Sequence, residues 1–303
     1  MPYSYTKILN VKKIELERYT LKQTTYFIDS SHFYGGSISS KPIKDNVDNV
    51  TFNFTIGFSY RSSYSYETYC DSNTILNKTL IGPHYYIYCV SGCDHAYTAI
   101  ASSEIYCLSY SKEIDWTFGS RTFSYTIPKV NTYQIEFYGS DWGNLVVFGY
   151  NRTGSSWELR HSLDSTNNTY SKAINSSPET LMSPVTSIPI NSFHVIDIPY
   201  IDEDDDVVRC RWAEWLKKEC RDVCMAVPFG YLDTVECKLY LNTSQAQLGF
   251  YAAAIQLEDF KGNNFSHPIS SVPLQFLIHI VEETNCTLQY IYLSFVMIIA
   301  ADH

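Results

Sequence analysis

The fold of this chain is decided by residues 202–212, which read DEDDDVVRCRW. Five consecutive acidic residues repel one another, so a folded domain keeps such a run as a solvated turn or around a cation. Beyond the run, Val208, Cys210 and Trp212 share one face of an extended segment, with arginines on the other face. An acidic turn that leads into a cysteine-bearing strand predicts a β-module of an extracellular protein.

The composition favours an all-β fold. A chain of 303 residues is long enough for two domains of ordinary size. Charged residues make up only 18% and hydrophobic residues 45%, which excludes a disordered composition. The 26 tyrosines suit half-buried strands. The net charge of -10 argues against nucleic acid or anionic lipid as the main partner.

Eight of the nine cysteines form two groups of identical layout: an outer cysteine, a C-x3-C pair and a second outer cysteine. The groups are Cys70, Cys89, Cys93 and Cys107, and Cys210, Cys220, Cys224 and Cys237. The layout predicts two modules held by similar disulfides, although four cysteines allow three pairings. Zinc is disfavoured because neither group has a second short pair. The odd Cys286 predicts a partner elsewhere in this chain or beyond it.

Sequons for N-glycosylation are frequent along the chain. They lie at Asn49, Asn53, Asn77, Asn151, Asn167, Asn175, Asn242, Asn264 and Asn285. Some sequons arise by chance, but so many beside paired cysteines favour the secretory route. We therefore expect an extracellular or cell-surface glycoprotein.

The two ends of the chain do not read as targeting segments. Residues 1–25 contain neither an apolar core nor a small-residue cleavage site, so they are not a signal peptide. We expect residues 1–30 to be an irregular leader and the chain to be a fragment of a longer protein. The apolar tail, residues 287–303, is shorter than the roughly 20 residues that a membrane helix needs. Membrane contact is expected only through a missing or truncated segment.

The first predicted domain, residues 31–165, shows a strand period. Apolar and polar residues alternate from Phe52 to Tyr60, which places the Asn53 sequon on the solvent face. Residues 146–159 read as a hairpin, with the turn residues Asn151–Gly154 between two apolar arms. These patterns predict a β-sandwich or barrel.

The second predicted domain, residues 166–286, follows a segment rich in Ser, Thr, Asn and Pro at 162–187, which suits a linker or a first edge strand. Alternation predicts four strands. They lie at 208–212, 235–241, 251–257 and 274–280. In this register Cys210 and Cys237 both point inward, as a core disulfide requires, and Cys220 and Cys224 fall between strands, where they could close a small loop.

Several motifs of the second domain carry a family resemblance. The segments GFYAAAIQLEDF (249–260) and SVPLQFL (271–277) resemble the closing strands of cadherin-like and PKD-like modules, and NSSP (175–178) resembles their opening. The order RCRWAE, ECRDVC, LDTVEC and SSVPLQFL resembles uncharacterised invertebrate extracellular multi-module proteins. The resemblance covers roughly residues 175–286 and implies two immunoglobulin-like or cadherin-like β-sandwich domains in tandem. The first domain resembles companion domains of those proteins loosely.

The acidic run is the candidate metal site. In an extended backbone Asp202, Asp204 and Asp206 point the same way and could offer three carboxylates to one calcium ion. Calcium takes six to eight oxygen ligands, so backbone carbonyls and Glu258 or Asp259 would have to complete the shell. The alternative is a solvated turn without an ion.

One departure from the family pattern bears on that choice. Asp205 stands where the resembling modules have a glycine, and aspartate adopts the left-handed backbone less readily. This favours the solvated turn. An EF-hand is excluded because neither flanking helices nor the required glutamate is present.

The sequence predicts a non-enzymatic role. It contains no G-x-S-x-G, H-E-x-x-H, Walker or G-x-G-x-x-G motif. We expect a structural or adhesion module whose partners are other extracellular modules, matrix or cell-surface proteins, or glycans. The alternative is a receptor or lectin-like module that binds ligands through Trp142 and the tyrosines of residues 85–88. Core packing is the competing explanation for these aromatic residues.

Overall fold

The computed structural model describes residues 33–282, except positions 94, 130, 131, 148, 149, 153, 167–172, 263 and 264. For residues 147 and 150–152 it describes the backbone alone. The predicted leader and apolar tail, Cys286 and the sequons at Asn167, Asn264 and Asn285 lie outside the described residues, as does the side chain of Asn151. No helix among the described residues combines the length and apolar character needed to cross a membrane.

The prediction of an all-β protein is confirmed. The strands of the first half are β1 (Phe33–Asp45), β2 (Asn49–Arg61), β3 (Leu80–Ile81), β4 (Tyr86–Ser91), β5 (Thr98–Ser102), β6 (Ile105–Ser111), β7 (Trp116–Pro128), β8 (Thr132–Gly139), β9 (Leu145–Val147), β10 (Tyr150–Arg152) and β11 (Trp157–Asp164). A short helix, α1 (Ser72–Leu76), begins after Asp71, whose carboxylate accepts a hydrogen bond from the Thr74 amide at 2.8 Å.

The second half contains nine strands among the described residues. They are β12 (Glu179–Thr180), β13 (Val185–Pro189), β14 (Phe193–Asp197), β15 (Tyr200–Ile201), β16 (Val207–Trp212), β17 (Gly230–Asp233), β18 (Lys238–Asn242), β19 (Gly249–Phe260) and β20 (Ser270–Val281). Short 3₁₀ turns lie at Trp215–Lys217, Arg221–Val223 and Thr243–Gln245.

Fifteen of the described strands join one curled sheet, most of it in the order β3-β6-β7-β2-β1-β20-β11-β8-β4-β5. Strand β20 also pairs with β19 and β13, and β19 pairs with β16 and β9. The remaining strands form a two-stranded sheet, β12-β15, and a three-stranded sheet, β14-β18-β17.

Alternation in β2 builds the core of the first half. Strand β2 pairs with β7 along its whole length, and Phe52, Phe54 and Ile56 are fully buried on its inner face. Burial of side chains of this size contributes about 1.5–3 kcal/mol each. The rings of Phe58 and Phe137 stack at 4.5 Å between centroids. This aromatic layer holds the two sides of the first half together.

The two halves share the central sheet. Strand β20 pairs with β1 at Gly36–Gln275 and with β11 at Ser162–Ser271. Gly35 has a φ of 115°, and a Cβ placed there would lie 2.0 Å from the carbonyl oxygen of Gln275, so only glycine permits this approach. The sheet therefore continues across the predicted domain boundary at residue 165, and two tandem sandwiches are not confirmed.

A buried histidine joins the same three strands. The imidazole of His161 in β11 is fully buried, with Nε2 2.8 Å from the Ser40 hydroxyl and Nδ1 3.0 Å from the Ser271 carbonyl. The carbonyl can only accept, so Nδ1 carries the proton and Nε2 accepts from Ser40. Burial lowers the pKa of His161 to about 4. The neutral ring therefore links β1, β11 and β20.

Two strand predictions are wrong in detail. The hairpin expected at 146–159 is instead a short pair, β9 with β10, while Trp157 begins β11, which pairs with β8. The Trp157 ring stacks on Phe33 at 4.6 Å, and this buried contact outweighs the local turn signal. The strand expected from Val235 begins only at Lys238, because the Asp233 carboxylate accepts hydrogen bonds from the Val235 and Glu236 amides and closes a turn.

Candidate functional site

The acidic run forms a turn organised by its first carboxylate. Oδ1 of Asp202 accepts hydrogen bonds from the amides of Asp204 at 3.0 Å and Asp206 at 3.1 Å. Asp205 adopts the left-handed conformation, with a φ of 54°. The aspartate thus takes the backbone conformation for which the resembling modules use glycine.

The second carboxylate oxygen of Asp202, unlike the first, accepts no hydrogen bond from the described residues. Asp202 Oδ2 is buried and has no hydrogen-bond partner among the described residues. Burial is the main cause that raises the pKa of Asp202 to about 6, and the Asp259 and Asp204 carboxylates add to it. Asp259 itself accepts hydrogen bonds from Asn175 and Ser270. The turn therefore holds an uncompensated negative charge next to a second buried carboxylate.

The predicted calcium ligands are not assembled as a ligand set. Asp204 Oδ2 accepts a hydrogen bond from the Ser176 amide at 2.6 Å, and Glu258 is paired with Arg211 at 2.7 Å. Across the described part of the chain, no three His, Cys, Asp or Glu side chains converge as metal ligands would. Calcium at Asp202, Asp204 and Asp206 stays a prediction.

The predicted glycosylation sites differ in accessibility. Asn49, Asn77 and Asn242 are exposed and Asn53 is half-buried. Asn175 is only 9% exposed, and its Nδ2 donates to Asp259 at 2.6 Å. Because a glycan is attached through that nitrogen, the folded geometry opposes glycosylation at Asn175.

The structure resolves the pairing that the sequence left open. The outer cysteines join as Cys70–Cys107 and Cys210–Cys237, and the inner ones as Cys89–Cys93 and Cys220–Cys224. Both groups therefore have the same nested connectivity. The Cys210–Cys237 pair is buried, as its inward register predicts.

The aromatic residues predicted as a ligand platform separate into core and surface. Trp142 is 1% exposed and packs its ring against Phe33 at 5.2 Å, so its assignment to a carbohydrate platform is wrong. Tyr86 is exposed, and Tyr88 is half-buried and stacks on Tyr138 at 5.7 Å. Of the residues discussed for this platform, Tyr86 and Tyr88 reach the surface and Trp142 does not.

A cleft of about 480 Å³ lies beside these tyrosines. Its lining, which we call the aromatic cleft, consists of Tyr97, Glu136, Tyr138, Glu158, Trp215, Leu216, Lys218 and Arg221. The floor comes from β8 and β11, and the rim comes from the loop between β16 and β17 and from Tyr97, just ahead of β5. Residues from both halves of the chain therefore build one site.

Strand alternation places charged groups on the cleft floor. In β8, Glu136 and Tyr138 point away from the aromatic core that receives Phe137. In the pairing with β11, Glu158 lies opposite Tyr138 and Arg160 opposite Glu136. Four polar side chains thus form a square on the outer face of two strands.

The charges on the floor compensate one another. Arg160 Nη2 contacts Glu136 and also lies 3.0 Å from Glu158 Oε1. Arg221 Nε lies 3.2 Å from Glu158 Oε2, with its guanidinium carbon 4.8 Å from the centroid of Tyr138. Burial, and next the Glu158 carboxylate, raise the pKa of Glu136 to about 7. Because one guanidinium bridges both carboxylates, they form an ion-pair network that fixes the floor.

The rim loop is held rigidly. Arg211 donates to both oxygens of Glu219 at 2.7 Å, and Glu219 accepts from the Glu214 amide at 2.9 Å. The Cys220–Cys224 disulfide closes the next turn, and Asp222 accepts from the Ser156 amide at 2.9 Å. These links anchor the loop to the strands beneath it.

On this fixed loop the apolar side chains face solvent. Trp215 is 68% exposed and Leu216 is 86% exposed, and Tyr97 faces them from the first half with 53% exposure. Large apolar side chains held in the open on an anchored loop are typical of contact surfaces. The aromatic cleft can receive an aromatic, apolar or sugar group above a neutralised polar floor.

A second cleft of similar volume, about 490 Å³, lies where β9 meets β19. There the rings of Phe250 and His279 stack on each other at 4.0 Å, and Arg61 pairs with Asp115 at 2.8 Å. Its aromatic and charged groups contact one another, whereas those on the rim of the aromatic cleft face solvent.

The sequence prediction did not identify the aromatic cleft. Its residues come from Tyr97 to Arg221 and meet only through strand pairing between distant segments. Two signals were present: glutamate within the strand pattern of Ile135 and Phe137, and tryptophan beside leucine just ahead of a C-x3-C pair. Neither signal indicates a shared site without the fold.

Residues 34–173 match the model of a protein family described as integrin beta-like protein A-E, N-terminal. This is an extracellular protein family. No curated protein matches the chain. The match and the disulfides indicate an extracellular or cell-surface module. Residues 175–286 lie outside the match, which gives no support to a cadherin-like or PKD-like relationship or to an invertebrate source.

Proposed function

We propose that this protein is an adhesion module of a larger secreted or cell-surface glycoprotein and that the aromatic cleft is its contact surface. The observation that carries the proposal is the exposed indole of Trp215 on an anchored loop. The tryptophan, tyrosine and arginine side chains of the cleft are the types that dominate binding energy at protein interfaces. Partners are other extracellular modules, matrix proteins or cell-surface proteins.

Rigidity of the rim supports this role. Binding costs about 0.5–1.5 kcal/mol for each flexible side chain that must be ordered. The Arg211–Glu219 pair and the Cys220–Cys224 disulfide already hold the loop in the free protein. A partner therefore meets a preformed surface, which lowers the entropic cost of association.

The finer architecture belongs to the same proposal. We expect residues 31–165 and 166–286 to be tandem β-sandwich domains of the immunoglobulin-like or cadherin-like type, joined by β20. Glycosylation at the exposed sequons and calcium at the acidic turn are further parts of the proposal. Limited proteolysis between the halves tests the tandem-domain architecture. A stable product from either half alone would support independent domains.

A lectin-like role is the second candidate. It is favoured by the combination of exposed aromatic rings with carboxylates and guanidinium groups in one cleft. Sugars present both apolar C–H faces and hydroxyl groups, which these side chains can contact together. In this case the ligand is a glycan on the partner surface.

The test measures how beads coated with the glycosylated chain bind to cells and to matrix proteins. Trp215→Ala should reduce binding at least tenfold without changing the melting temperature, since the side chain is largely exposed. Tyr66→Ala is the matched control, because Tyr66 is even more exposed and lies outside the cleft. Equal binding by both variants would overturn the cleft as the contact surface.

A glycan array separates the two candidates. Retention on defined oligosaccharides that is lost in Trp215→Ala favours the lectin-like role. Retention on protein ligands stripped of their glycans favours the adhesion role.

A further inference from the structure

The three-stranded sheet β14-β18-β17 exposes an unusual face. Its inner face follows the expected pattern, with Leu239 and Leu241 of β18 fully buried. On the outer face Phe193 is 65% exposed and Tyr231 is 67% exposed, with Tyr240 between them. A half-buried antiparallel sheet normally turns polar side chains outward. Aromatic rings in that position indicate that something covers them.

A sequon lies on this same face. In the pairing of β14 with β18, Asn242 is directly opposite Phe193. Directly opposite residues have their Cβ atoms about 4.5–5.5 Å apart and point to the same side of the sheet. The first sugar of a glycan on Asn242 therefore begins beside the Phe193 ring.

The amide of Asn242 is free to react. Its Oδ1 accepts a hydrogen bond from the Ser244 amide at 3.2 Å, and Nδ2 has no partner among the described residues. Asn175 is the opposite case, since its Nδ2 is buried and donates to Asp259. Of these two sequons, Asn242 alone presents its nitrogen to solvent.

There is also room for a sugar next to the side chain. A hollow of about 350 Å³ is lined by Asn242 itself together with Pro228, Phe229 and Gln245. This volume lies within the range of small-molecule sites. The hollow leaves space for a sugar at Asn242, and the Phe193 ring lies directly across the strand pair from the same residue.

We propose that Asn242 carries an N-linked oligosaccharide whose first sugars lie over the aromatic face formed by Phe193, Tyr240 and Tyr231. In the transfer, Nδ2 of Asn242 forms a bond to C1 of a lipid-linked oligosaccharide. The bond between C1 and the diphosphate oxygen breaks, the amide loses one proton, and the lipid diphosphate leaves. The apolar C–H face of the sugar then packs on the electron-rich ring faces.

This inference rests on the secretory part of the proposed function but not on the aromatic cleft. It assigns the aromatic face of the small sheet to a covalently attached sugar, so this face is not the adhesion surface. Loss of the Asn242 glycan is therefore expected to leave bead binding through Trp215 unchanged.

The test uses the full chain secreted from a glycosylating eukaryotic host. Peptide mass spectrometry should find Asn242 occupied. Ser244→Ala, which removes the sequon but keeps the Asn242 cap on the amide of residue 244, should lower the melting temperature by about 2–4 °C, whereas trimming the glycan to its first sugar should not. Asn77→Gln is the control, since Asn77 is an exposed sequon at the end of α1.

A double-mutant comparison checks the ring contact. In a Phe193→Ala background, Ser244→Ala should lower the melting temperature by less than half as much as in the unaltered chain. Equal shifts in both backgrounds, or an unoccupied Asn242, would overturn the proposal. Dimerisation of the secreted chain that is blocked by Phe193→Ala would assign the face to a second copy of the protein instead. If Asn242→Gln abolished bead binding, the separation of this face from the adhesion surface would be wrong.

Discussion

The two cysteine-bearing regions, residues 70–107 and 210–237, have the same covalent plan and different surroundings. In each, an outer disulfide encloses a second one made by a C-x3-C pair. The outer loops span 37 and 27 residues, and both inner loops span 4. From the cysteines alone the two regions would be assigned the same role.

Their inner loops are used differently. The Cys89–Cys93 loop begins within β4 and ends two residues beyond it, and its exposed residues are Ser91 and Gly92. The Cys220–Cys224 loop instead reaches across to β11, where Arg221 contacts Glu158, and to the residue before that strand, Ser156, whose amide donates to Asp222. A shared disulfide plan therefore fixes local geometry, whereas the strand beneath the loop decides whether it builds a site.

Removal of the outer disulfides should have the largest effect and should be similar in both regions. Loop-closure entropy predicts a loss of about 3.5–4 kcal/mol of unfolding free energy for Cys70→Ser/Cys107→Ser and for Cys210→Ser/Cys237→Ser. Denaturant unfolding, followed by circular dichroism and tryptophan fluorescence, measures both. Because β20 joins the halves, each variant should show one shifted transition. Two separate transitions would show that the halves unfold independently.

Acid should weaken the junction between the regions. In the unfolded chain the pKa of His161 has its ordinary value of 6.5, whereas burial lowers this pKa to about 4 in the folded protein. The unfolded chain thus binds more protons between these values, so stability falls as the pH drops from about 7 to 4, by about 3 kcal/mol in total. His161→Gln should flatten this slope in urea titrations at several pH values. An unchanged slope, equal to that of the exposed-site control His95→Gln, would contradict the assignment.

Removal of the inner disulfides should separate the regions by function. Each four-residue loop is worth about 2 kcal/mol of unfolding free energy by the same entropy relation, so Cys89→Ser/Cys93→Ser and Cys220→Ser/Cys224→Ser should be destabilised alike. Bead binding should fall about tenfold in the second variant and much less in the first, because the second loop adjoins Trp215 and Leu216, whereas the first region contributes only Tyr97 to the lining of the aromatic cleft. Equal loss of binding in both would mean that the side chain of Tyr97 contributes to binding as much as the rim loop with Trp215 does.

The sequence predicted what depends on local alternation and missed what depends on distant pairing. Phe52 to Tyr60 and Leu274 to Ile280 form strands as expected, since each pattern is complete within one segment. The approach of Gly35 to Gln275 has no local signal, because the required glycine and its neighbour are 240 positions apart. The aromatic cleft was missed for the same reason: Glu136 and Arg221 look like ordinary surface charges until β8, β11 and the rim loop come together.

The acidic turn is another difference between the two cysteine-bearing regions, because an acidic run precedes Cys210 and no such run precedes Cys70. Changes at this turn should have the smallest effect. The raised pKa of Asp202 means that its carboxylate, although ionised at neutral pH, is less stable in the folded protein than in the unfolded chain. Asp202→Asn keeps the Oδ1 acceptor and removes that charge, so in EGTA it should raise the unfolding free energy by about 1 kcal/mol, after allowance for its partial exposure.

Calcium bound at the turn would favour the unaltered chain over Asp202→Asn, which is the reverse of the stability order expected in EGTA. If the ion binds at the turn, millimolar calcium should raise the melting temperature of the unaltered chain and leave Asp202→Asn unchanged. Asp48→Asn, at an exposed position between β1 and β2, is the control for general charge effects. Stabilisation of neither protein would exclude calcium from the turn. The buried Oδ2 of Asp202 would then be a cost that the fold tolerates in order to place the Asp204 and Asp206 amides ahead of the disulfide-bearing strand β16.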